Sequence, residues 1–363
     1  MGRFRPAADE GVLKVAWAIP APPSWRVDWQ RLLAQFPVME CLNELSHSAR
    51  FHTEKDVLTH TRLTCEMLAV SKQWRALSAY HRAIVFLAGL LHDIGKRDDC
   101  AASRSPASRH HGRHGARLVR VILYRQGAPF KLREAVVNLI RYHQVPFWIL
   151  ERENPAALVQ RISLNIRCDW LVTLAAADAK GRKSDEKRAL LEGVALFEEM
   201  AFLLDCIQSP AEFGSPHGRH LYFRNQWHVP DFAPPEAFRS RAVFLSGLPG
   251  AGKRRLIEAR YPDLPVVTAG GDSLETIETA LSTHLRARES VVVCAPNLSR
   301  SARRQLTTPA VEHGAKVEMV YKERPYKRLG RKRANAAFQT LMESDWEVPD
   351  PWEADTLRYD VDG

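Results

Sequence analysis

Residues 86–96 read FLAGLLHDIGK, an apolar segment that ends in an adjacent histidine and aspartate, His92 and Asp93. The apolar residues from Phe86 to Leu91 recur at helical spacing, so the segment predicts a buried helix with the polar pair at its end. Residues 136–143 repeat the arrangement, because VVNLIRYH also places a histidine after an apolar helical face. Histidines at the ends of buried helices favour a bundle whose polar side chains point inward.

The rest of the chain divides into three parts around these segments. Up to residue 208 nearly every segment has the period of an amphipathic helix, which predicts an all-α domain over 1–208. Residues 209–240 carry proline, glycine and aromatic residues without a period, as in a linker or an irregular packed connector. Over 241–363, short β-branched runs alternate with helical patterns, which predicts an α/β domain with a parallel sheet. The runs are 242–247, 265–269, 291–295 and 317–323.

Composition limits the class of protein. With 363 residues, 45% hydrophobic and 26% charged, the chain has the composition of a globular protein and the length of two domains. No apolar run approaches the ~20 residues that cross a bilayer. The N-terminus lacks an apolar signal region, so we expect a cytoplasmic protein without a membrane partner. The six cysteines form no CxxC pair, which favours reduced thiols over a disulfide framework.

The formal net charge of +10 favours a polyanionic partner. Between Asn297 and Arg333 eleven lysines and arginines face three glutamates, so the excess is concentrated in the C-terminal part. Charge alone leaves nucleic acid, nucleotides and membrane surfaces open as partners.

The helical half is rich in histidine, with nine of the fourteen between His47 and His143. Six of its residues, four histidines and two aspartates, together offer imidazole and carboxylate groups. This mixture suits Mn, Fe, Co, Ni or Zn and is usual in hydrolytic metal sites. The six residues are His60, His92, Asp93, His111, His143 and Asp178. A lone histidine on an apolar face is more often a core residue. Burying the whole set without a metal would leave polar groups unpaired, so the set predicts metal-assisted phosphoester hydrolysis.

The ordered set resembles the HD-domain metal phosphohydrolases, whose pattern is H…HD…D with additional histidines in members that bind two metals. The core pattern is matched by His60, His92, Asp93 and Asp178, and the additional positions by His111 and His143. The resemblance implies an all-α HD bundle that holds two divalent ions (Mn, Co, Ni, Fe or Zn). We expect Asp93 to bridge them.

Residues 40–215 are also similar to bacterial bifunctional enzymes that join an HD phosphatase to a polynucleotide kinase. The similar segments are FHTEKDVLTHT at 51–61 and RYHQVPFWILER at 141–152. Such enzymes remove 2′,3′-cyclic, 2′- or 3′-phosphates from RNA ends. The resemblance gives Lys96 and His52 a role at the substrate phosphate. A solvated lysine and a loop histidine are the alternative interpretations.

A glycine-rich loop opens the C-terminal domain. Residues 242–259 read AVFLSGLPGAGKRRLIEA, an apolar strand, a GxxxxGK loop and a helix. In that context backbone amides and a lysine cradle the phosphates of ATP or GTP with Mg²⁺; a plain glycine-rich turn is the alternative. The cofactor-binding candidates are Gly247, Gly250, Gly252, Lys253 and Arg254. Arg254 stands where a serine or threonine normally binds magnesium, and arginine cannot ligate a cation.

The remainder of this half resembles P-loop polynucleotide kinases. NLSRSARRQL at 297–306 is similar to the segment after their third strand, and RPYKRLGRKR at 324–333 to their arginine-bearing lid. The resemblance makes Arg331 and Arg333 candidates to clamp the transition state. A solvated basic helix is the alternative.

Two positions depart from the kinase pattern. Asp272 is the only carboxylate near the position of the proton acceptor, and Glu275 stands where the family has an arginine. Ala295 replaces a polar residue after the third strand. We therefore expect nucleotide binding with slow or absent transfer to a 5′-OH.

These observations together favour an RNA end-healing enzyme that acts on RNA ends or nucleotides, with an RNA ligase acting downstream. One alternative is an HD nucleotidase or phosphodiesterase on small nucleotides with a regulatory, non-catalytic P-loop module. Another is a non-enzymatic RNA-binding protein. The basic C-terminal segment favours a polymer end, because several phosphates must be neutralised.

Overall fold

The computed structural model describes residues 16–44, 56–97, 111–183, 186–268, 273–295, 297–329, 341–343 and 346–362. The chain forms two compact units, one drawn from residues up to 159 with 166–208, the other from 160–165 with 209 onward. Among the described residues, no helix combines the length and apolar character needed to cross a membrane.

The first unit is helical, as the periodicity predicts. Its α-helices are α1 (Trp29–Gln35), α2 (Val57–Val70), α3 (Lys72–Arg75), α4 (Ala79–Leu91), α5 (His111–Arg125), α6 (Phe130–Tyr142), the start of α7 (Pro155–Ser163), α8 (Cys168–Gly181) and α9 (Lys187–Leu203). Single 3-10 segments are Pro37–Glu44, Ile94–Arg97 and Val145–Glu151.

Helices α2 and α4 begin at side-chain caps. Asp56 Oδ1 accepts the Thr59 backbone N–H at 2.7 Å, and Ser78 Oγ accepts that of His81 at 3.3 Å. Every residue of α4 from Ala83 to Leu91 is buried, so the helix is enclosed on all sides and not only along one stripe. The His92–Asp93 pair therefore directly follows the central helix of the unit.

A buried ion cluster connects α5 to α6. Glu134 accepts from Arg120 Nε and Nη2 at 3.1 and 2.9 Å on one carboxylate oxygen, and from Arg133 Nε at 2.7 Å on the other. Arg133 is fully buried and Arg120 nearly so. Because both guanidinium groups are out of water, removing the carboxylate that balances them would leave buried unpaired charges and would be strongly destabilising.

This cluster predicts a pH dependence of stability. Burial alone would raise the pKa of Glu134, but the charges of Arg120 and Arg133 hold it below its usual value of 4.5. The unfolded chain therefore binds the proton at higher pH than the folded chain, and the stabilisation is lost as pH falls below about 4.5. Between about pH 5 and pH 3 we expect the free energy of unfolding, from urea titrations, to fall more steeply for the natural chain than for Glu134→Gln. Parallel curves would contradict this.

The second unit contains a five-stranded sheet. The strands are β1 (Ser240–Ser246), β2 (Val266–Thr268), β3 (Val291–Cys294), β4 (Ala315–Glu323) and β5 (Thr356–Val361). They pair in the order β2-β3-β1-β4-β5, and all four pairings are parallel. The helices are α10 (Pro216–Tyr222), α11 (Lys253–Arg260), α12 (Leu274–Arg286) and α13 (Arg300–Glu312). The predicted helical half followed by a parallel sheet with helices is confirmed.

The strand order determines where a ligand can bind. Along the strand order, the connection from β1 to β2 runs toward one edge of the sheet, and the connection from β3 to β4 runs toward the opposite edge. The order thus reverses between the neighbours β1 and β3, and ligands of open parallel sheets bind outside the carboxyl ends of strands at such a point. The glycine-rich loop directly follows β1 there.

Two features differ from the sequence analysis or add to it. Strand β5 has no counterpart among the predicted runs, because TLRYDV mixes charged and apolar residues at the edge of the sheet. The predicted linker or packed connector, residues 209–240, lies in the second unit and contains α10 and the first residue of β1. Within that unit, the Ala211 backbone N–H donates to Ser163 Oγ at 2.9 Å.

Candidate functional site

Five elements of the first unit supply the six predicted metal ligands. His60 lies on α2, Asp178 on α8, His92 and Asp93 just after α4, His111 at the start of α5, and His143 just after α6. All six side chains are buried, with at most 3% of any residue exposed.

Asp93 lies at the centre of the group. Its Oδ2 is 3.3 Å from His92 Nε2 and 3.9 Å from His60 Nε2, and its Oδ1 is 3.4 Å from His111 Nε2. Two triads, each with ligand atoms within 4.8 Å of one another, share this aspartate: His60–His92–Asp93 and Asp93–His111–His143. A carboxylate with one oxygen toward each triad has the position of a bridge between two ions.

Backbone carbonyls orient two of the imidazoles. His92 Nδ1 lies 2.8 Å from Gly89 O, and His143 Nδ1 lies 2.7 Å from Ile140 O, each three residues earlier at a helix end. Such a bond fixes the ring and leaves Nε2 to the site. Among the described residues, neither His92 Nε2 nor His143 Nε2 has a hydrogen-bond partner, although both are buried. Buried nitrogens of this kind fit metal ligation.

The electrostatics of Asp93 and His143 favour the protonation states that can ligate a metal. Burial would raise the pKa of Asp93, but His92 and Lys96 hold it well below its usual value, so the group is a carboxylate. Burial, reinforced by the neighbouring His92 and His111, lowers the pKa of His143 to about 3. Neutral imidazole and ionised carboxylate are the forms that bind metals.

Asp178 faces both His60 and a residue that the sequence analysis did not single out. Its Oδ1 is 3.0 Å from His60 Nε2, while Arg182 Nε and Nη2 donate to its two oxygens at 3.1 and 3.2 Å. Burial would raise the pKa of Asp178, but Arg182 and His60 keep it well below its usual range. The i,i+4 spacing of Asp178 and Arg182 on a helix is the signal that could have found this arginine.

Glycines allow the helix of His111 to approach the HD pair. A Cβ on Gly95 would lie 2.2 Å from His111 O and 2.7 Å from Gly115 N, closer than backbone atoms allow. Gly95 and Gly115 therefore let α5 pack against the turn after Asp93. That close approach brings His111 to the aspartate.

The other predicted residues of this half are placed as follows. Lys96 Nζ forms an ion pair with Asp93 Oδ2 at 2.7 Å, and its side chain is 17% exposed. The ammonium therefore lies beside the candidate metal ligands and is partly open to solvent. His52 lies outside the described residues.

Three glycines of the glycine-rich loop in the second unit have positive backbone φ angles. Gly247, Gly250 and Gly252 have φ of 134°, 82° and 94°, a region that favours glycine. A Cβ on Gly247 would lie 2.1 Å from Lys322 O, so the loop also packs tightly against β4. Gly252 is the N-cap of α11, whose first residue is Lys253. The loop thus ends at a helix N-terminus, where backbone N–H groups attract anions.

The two basic residues after Gly252 are placed differently. Lys253 Nζ donates to Gly247 O at 2.6 Å and to Leu248 O at 3.2 Å, so its ammonium covers the loop. The side chain of Arg254 is 93% exposed, and its Nε lies 3.5 Å from Glu258 Oε1 on the next turn. The structure therefore brings Lys253, but not Arg254, to the loop.

The end of β1 is joined to the segment after β3. Asn297 Nδ2 donates to Leu245 O at 3.1 Å, and Ser246 Oγ donates to Asn297 O at 3.3 Å. Ala295 is buried at the end of β3. The remaining kinase candidates, Asp272, Arg331 and Arg333, lie outside the described residues.

Comparison with known protein families bears on the helical unit. Residues 44–170 match the family model described as HD domain. The matched segment contains five of the six predicted ligands and ends before Asp178. This match, together with histidine and aspartate groups that could hold a metal, supports an HD-domain protein and metal-dependent phosphohydrolase activity in general.

Proposed function

We propose that this protein is an RNA end-healing enzyme whose HD unit removes 2′,3′-cyclic, 2′- or 3′-phosphates from RNA ends. The observation that carries the hydrolytic part is the pair of buried triads that share Asp93. Two divalent transition-metal ions held there would polarise the phosphate and make water a stronger nucleophile. An RNA ligase would act on the healed ends.

The chain's own residues have separate roles in this proposal. His60, His92 and Asp93, with Asp178 beside His60, would hold one ion, and Asp93, His111 and His143 would hold the second. Arg182 keeps Asp178 ionised and oriented toward His60. Lys96, partly exposed beside Asp93, attracts the substrate phosphate to the solvent side of the group.

The choice of RNA over a small nucleotide rests on charge and on the resemblance of the two halves to end-healing enzymes. The excess of basic residues between Asn297 and Arg333 suits a partner with several phosphates. A polynucleotide end supplies these, whereas a mononucleotide supplies one to three.

The proposal is tested with the full chain, RNA oligonucleotides that end in 2′,3′-cyclic phosphate or 2′-phosphate, and the matching free cyclic nucleotide. We expect release of phosphate from the RNA ends with Mn²⁺, Co²⁺ or Ni²⁺, without ATP. Metal analysis should give two equivalents per chain. Hydrolysis of free nucleotides alone would overturn the RNA assignment and favour a nucleotidase, and less than one bound metal would overturn the site.

For the second unit we propose binding of ATP or GTP with Mg²⁺ at the glycine-rich loop, with slow or absent transfer to a 5′-OH RNA end. The loop's position at the reversal of strand order and the placement of Lys253 support binding. The exposed Arg254 and the buried Ala295 offer no cation ligand, which supports weak transfer.

Lys253→Ala should weaken nucleotide binding by about 1.5–3 kcal/mol, because a lysine at the β and γ phosphates makes charge-assisted hydrogen bonds. Titration calorimetry with ATP and GTP measures this, with the exposed Arg255→Ala as the control. Equal affinity of both variants would contradict a phosphate-binding loop. Where transfer occurs, Asp272→Asn should abolish it without loosening nucleotide binding.

A further inference from the structure

A second basic site lies in the C-terminal unit, formed by residues outside the glycine-rich loop. It is a small cleft of about 50 Å³ lined mainly by His220, Arg224, Arg300, Arg304, Thr307 and Trp352. Helix α10 and the residues just after it, helix α13, and the turn before β5 supply these side chains. A single water needs about 10–15 Å³ of such space, so the cleft has room for one small tetrahedral ion.

The lining offers nitrogen atoms that lack partners. Three of its buried nitrogens have no hydrogen-bond partner among the described residues: His220 Nε2, Arg224 Nε and Trp352 Nε1. A fourth, Arg300 Nε, also lacks a hydrogen bond but lies 3.6 Å from Glu353 Oε1. Buried polar groups are rarely left unsatisfied, so several such nitrogens on the side chains that line one cleft point to a polar ligand.

The charge of the cleft is positive despite one acidic residue. Glu353 lines the cleft, but its two oxygens accept from Arg303 Nε and Nη2 at 2.7 and 2.9 Å. Arg300 forms an ion pair with Asp350. In the described parts of the chain, neither Arg224 nor Arg304 forms an ion pair with a carboxylate. The cleft therefore keeps two guanidinium groups that form no ion pair among the described residues, and such groups suit a phosphate.

Arg224 is held in place by hydroxyl groups. Its Nη1 and Nη2 donate to Thr307 Oγ1 at 3.3 Å and Thr308 Oγ1 at 2.8 Å. Burial, followed by repulsion from Arg304, lowers the pKa of Arg224. An anion between the two arginines would remove that repulsion.

His220 adds a requirement on the form of the anion. Its Nδ1 is 3.0 Å from Asp355 Oδ1, an oxygen that also lies 2.8 Å from His217 Nδ1, so the ring is fixed with Nε2 free. His220 is 1% exposed. A neutral imidazole that donates from Nδ1 presents Nε2 as an acceptor. Hydrogen phosphate supplies both oxygens for the arginines and a P–OH for this nitrogen.

From these contacts we propose that the cleft binds a hydrogen phosphate group, either inorganic phosphate or the terminal monoester of a larger molecule. The site is independent of the HD centre and of the glycine-rich loop, since it shares no residue with either. It therefore stands even where the proposed function fails.

The test is equilibrium dialysis of the full chain with radiolabelled inorganic phosphate at about pH 6, where monoesters keep a P–OH. The chain carries Asp93→Asn and Lys253→Ala, so that the other two phosphate-binding candidates are disabled. We expect one equivalent of bound phosphate. Phenyl phosphate should displace it if the natural ligand is a terminal monoester, whereas only unlabelled inorganic phosphate should displace it if the natural ligand is the free ion. Sulfate and dimethyl phosphate, which lack the hydroxyl, should compete at least about tenfold less well.

Variants in the same background locate the site. Arg224→Gln should weaken phosphate binding at least about tenfold. Arg304 is exposed, so Arg304→Gln should weaken phosphate binding by only about threefold and leave the circular dichroism spectrum unchanged. Arg286→Gln removes the same charge from an exposed position on α12 and should have no effect. No bound equivalent in the background chain, equal loss in the Arg286 variant, or equal competition by dimethyl phosphate would overturn the proposal.

Discussion

Replacing Asp93 by asparagine should lower phosphohydrolase activity by about 10³-fold or more, because the change removes the carboxylate that faces both histidine triads. The amide keeps the shape of the side chain but cannot bridge two cations. Bound metal should fall below the two equivalents expected of the natural chain. Activity is measured on a 2′,3′-cyclic phosphate RNA end and on bis(p-nitrophenyl) phosphate, and metal by elemental analysis.

Asp205→Asn is the matched control for this change. Asp205 is exposed in the same unit, and its φ of 51° is one that asparagine tolerates. Its activity and metal content should equal those of the natural chain. Full activity in the Asp93 variant would show that the hydrolytic centre lies elsewhere.

Replacing Glu134 by glutamine should destabilise the helical unit by about 3–5 kcal/mol, because two buried arginines lose the carboxylate that balances them. Urea unfolding followed by circular dichroism at 222 nm reports mainly on this helix-rich unit. A shift of the transition to lower urea without a change of slope would show lost stability.

Glu192→Gln provides the comparison for the stability change. Glu192 forms an ion pair with Arg188 at 2.9 Å on the surface of α9, where the two side chains are 62% and 90% exposed. Such pairs contribute about 0–1 kcal/mol, so the transition should barely move. Equal effects of the two variants would mean that the buried cluster contributes no more than an exposed pair.

The extent of sequence-based prediction differs between the two units. In the helical unit the sequence predicts all six ligand candidates, because each lies within or next to a periodic apolar segment, and the structure brings their side chains together. Arg182 and the approach of Gly95 to Gly115 were missed, since their role depends on which helices become neighbours. In the second unit, β5 was missed because an edge strand carries little apolar pattern.

The sequence by itself determined the helical character of the first unit, the alternation of strands and helices in the second, and the residue types of both candidate sites. These follow from local periodicity and from backbone demands such as the glycines at positive φ. Only the tertiary structure decided that Asp93 lies between two triads, that Lys253 and not Arg254 covers the loop, and that arginines from separate segments converge with His220. Distances between residues far apart in the chain depend on packing, which no local pattern encodes.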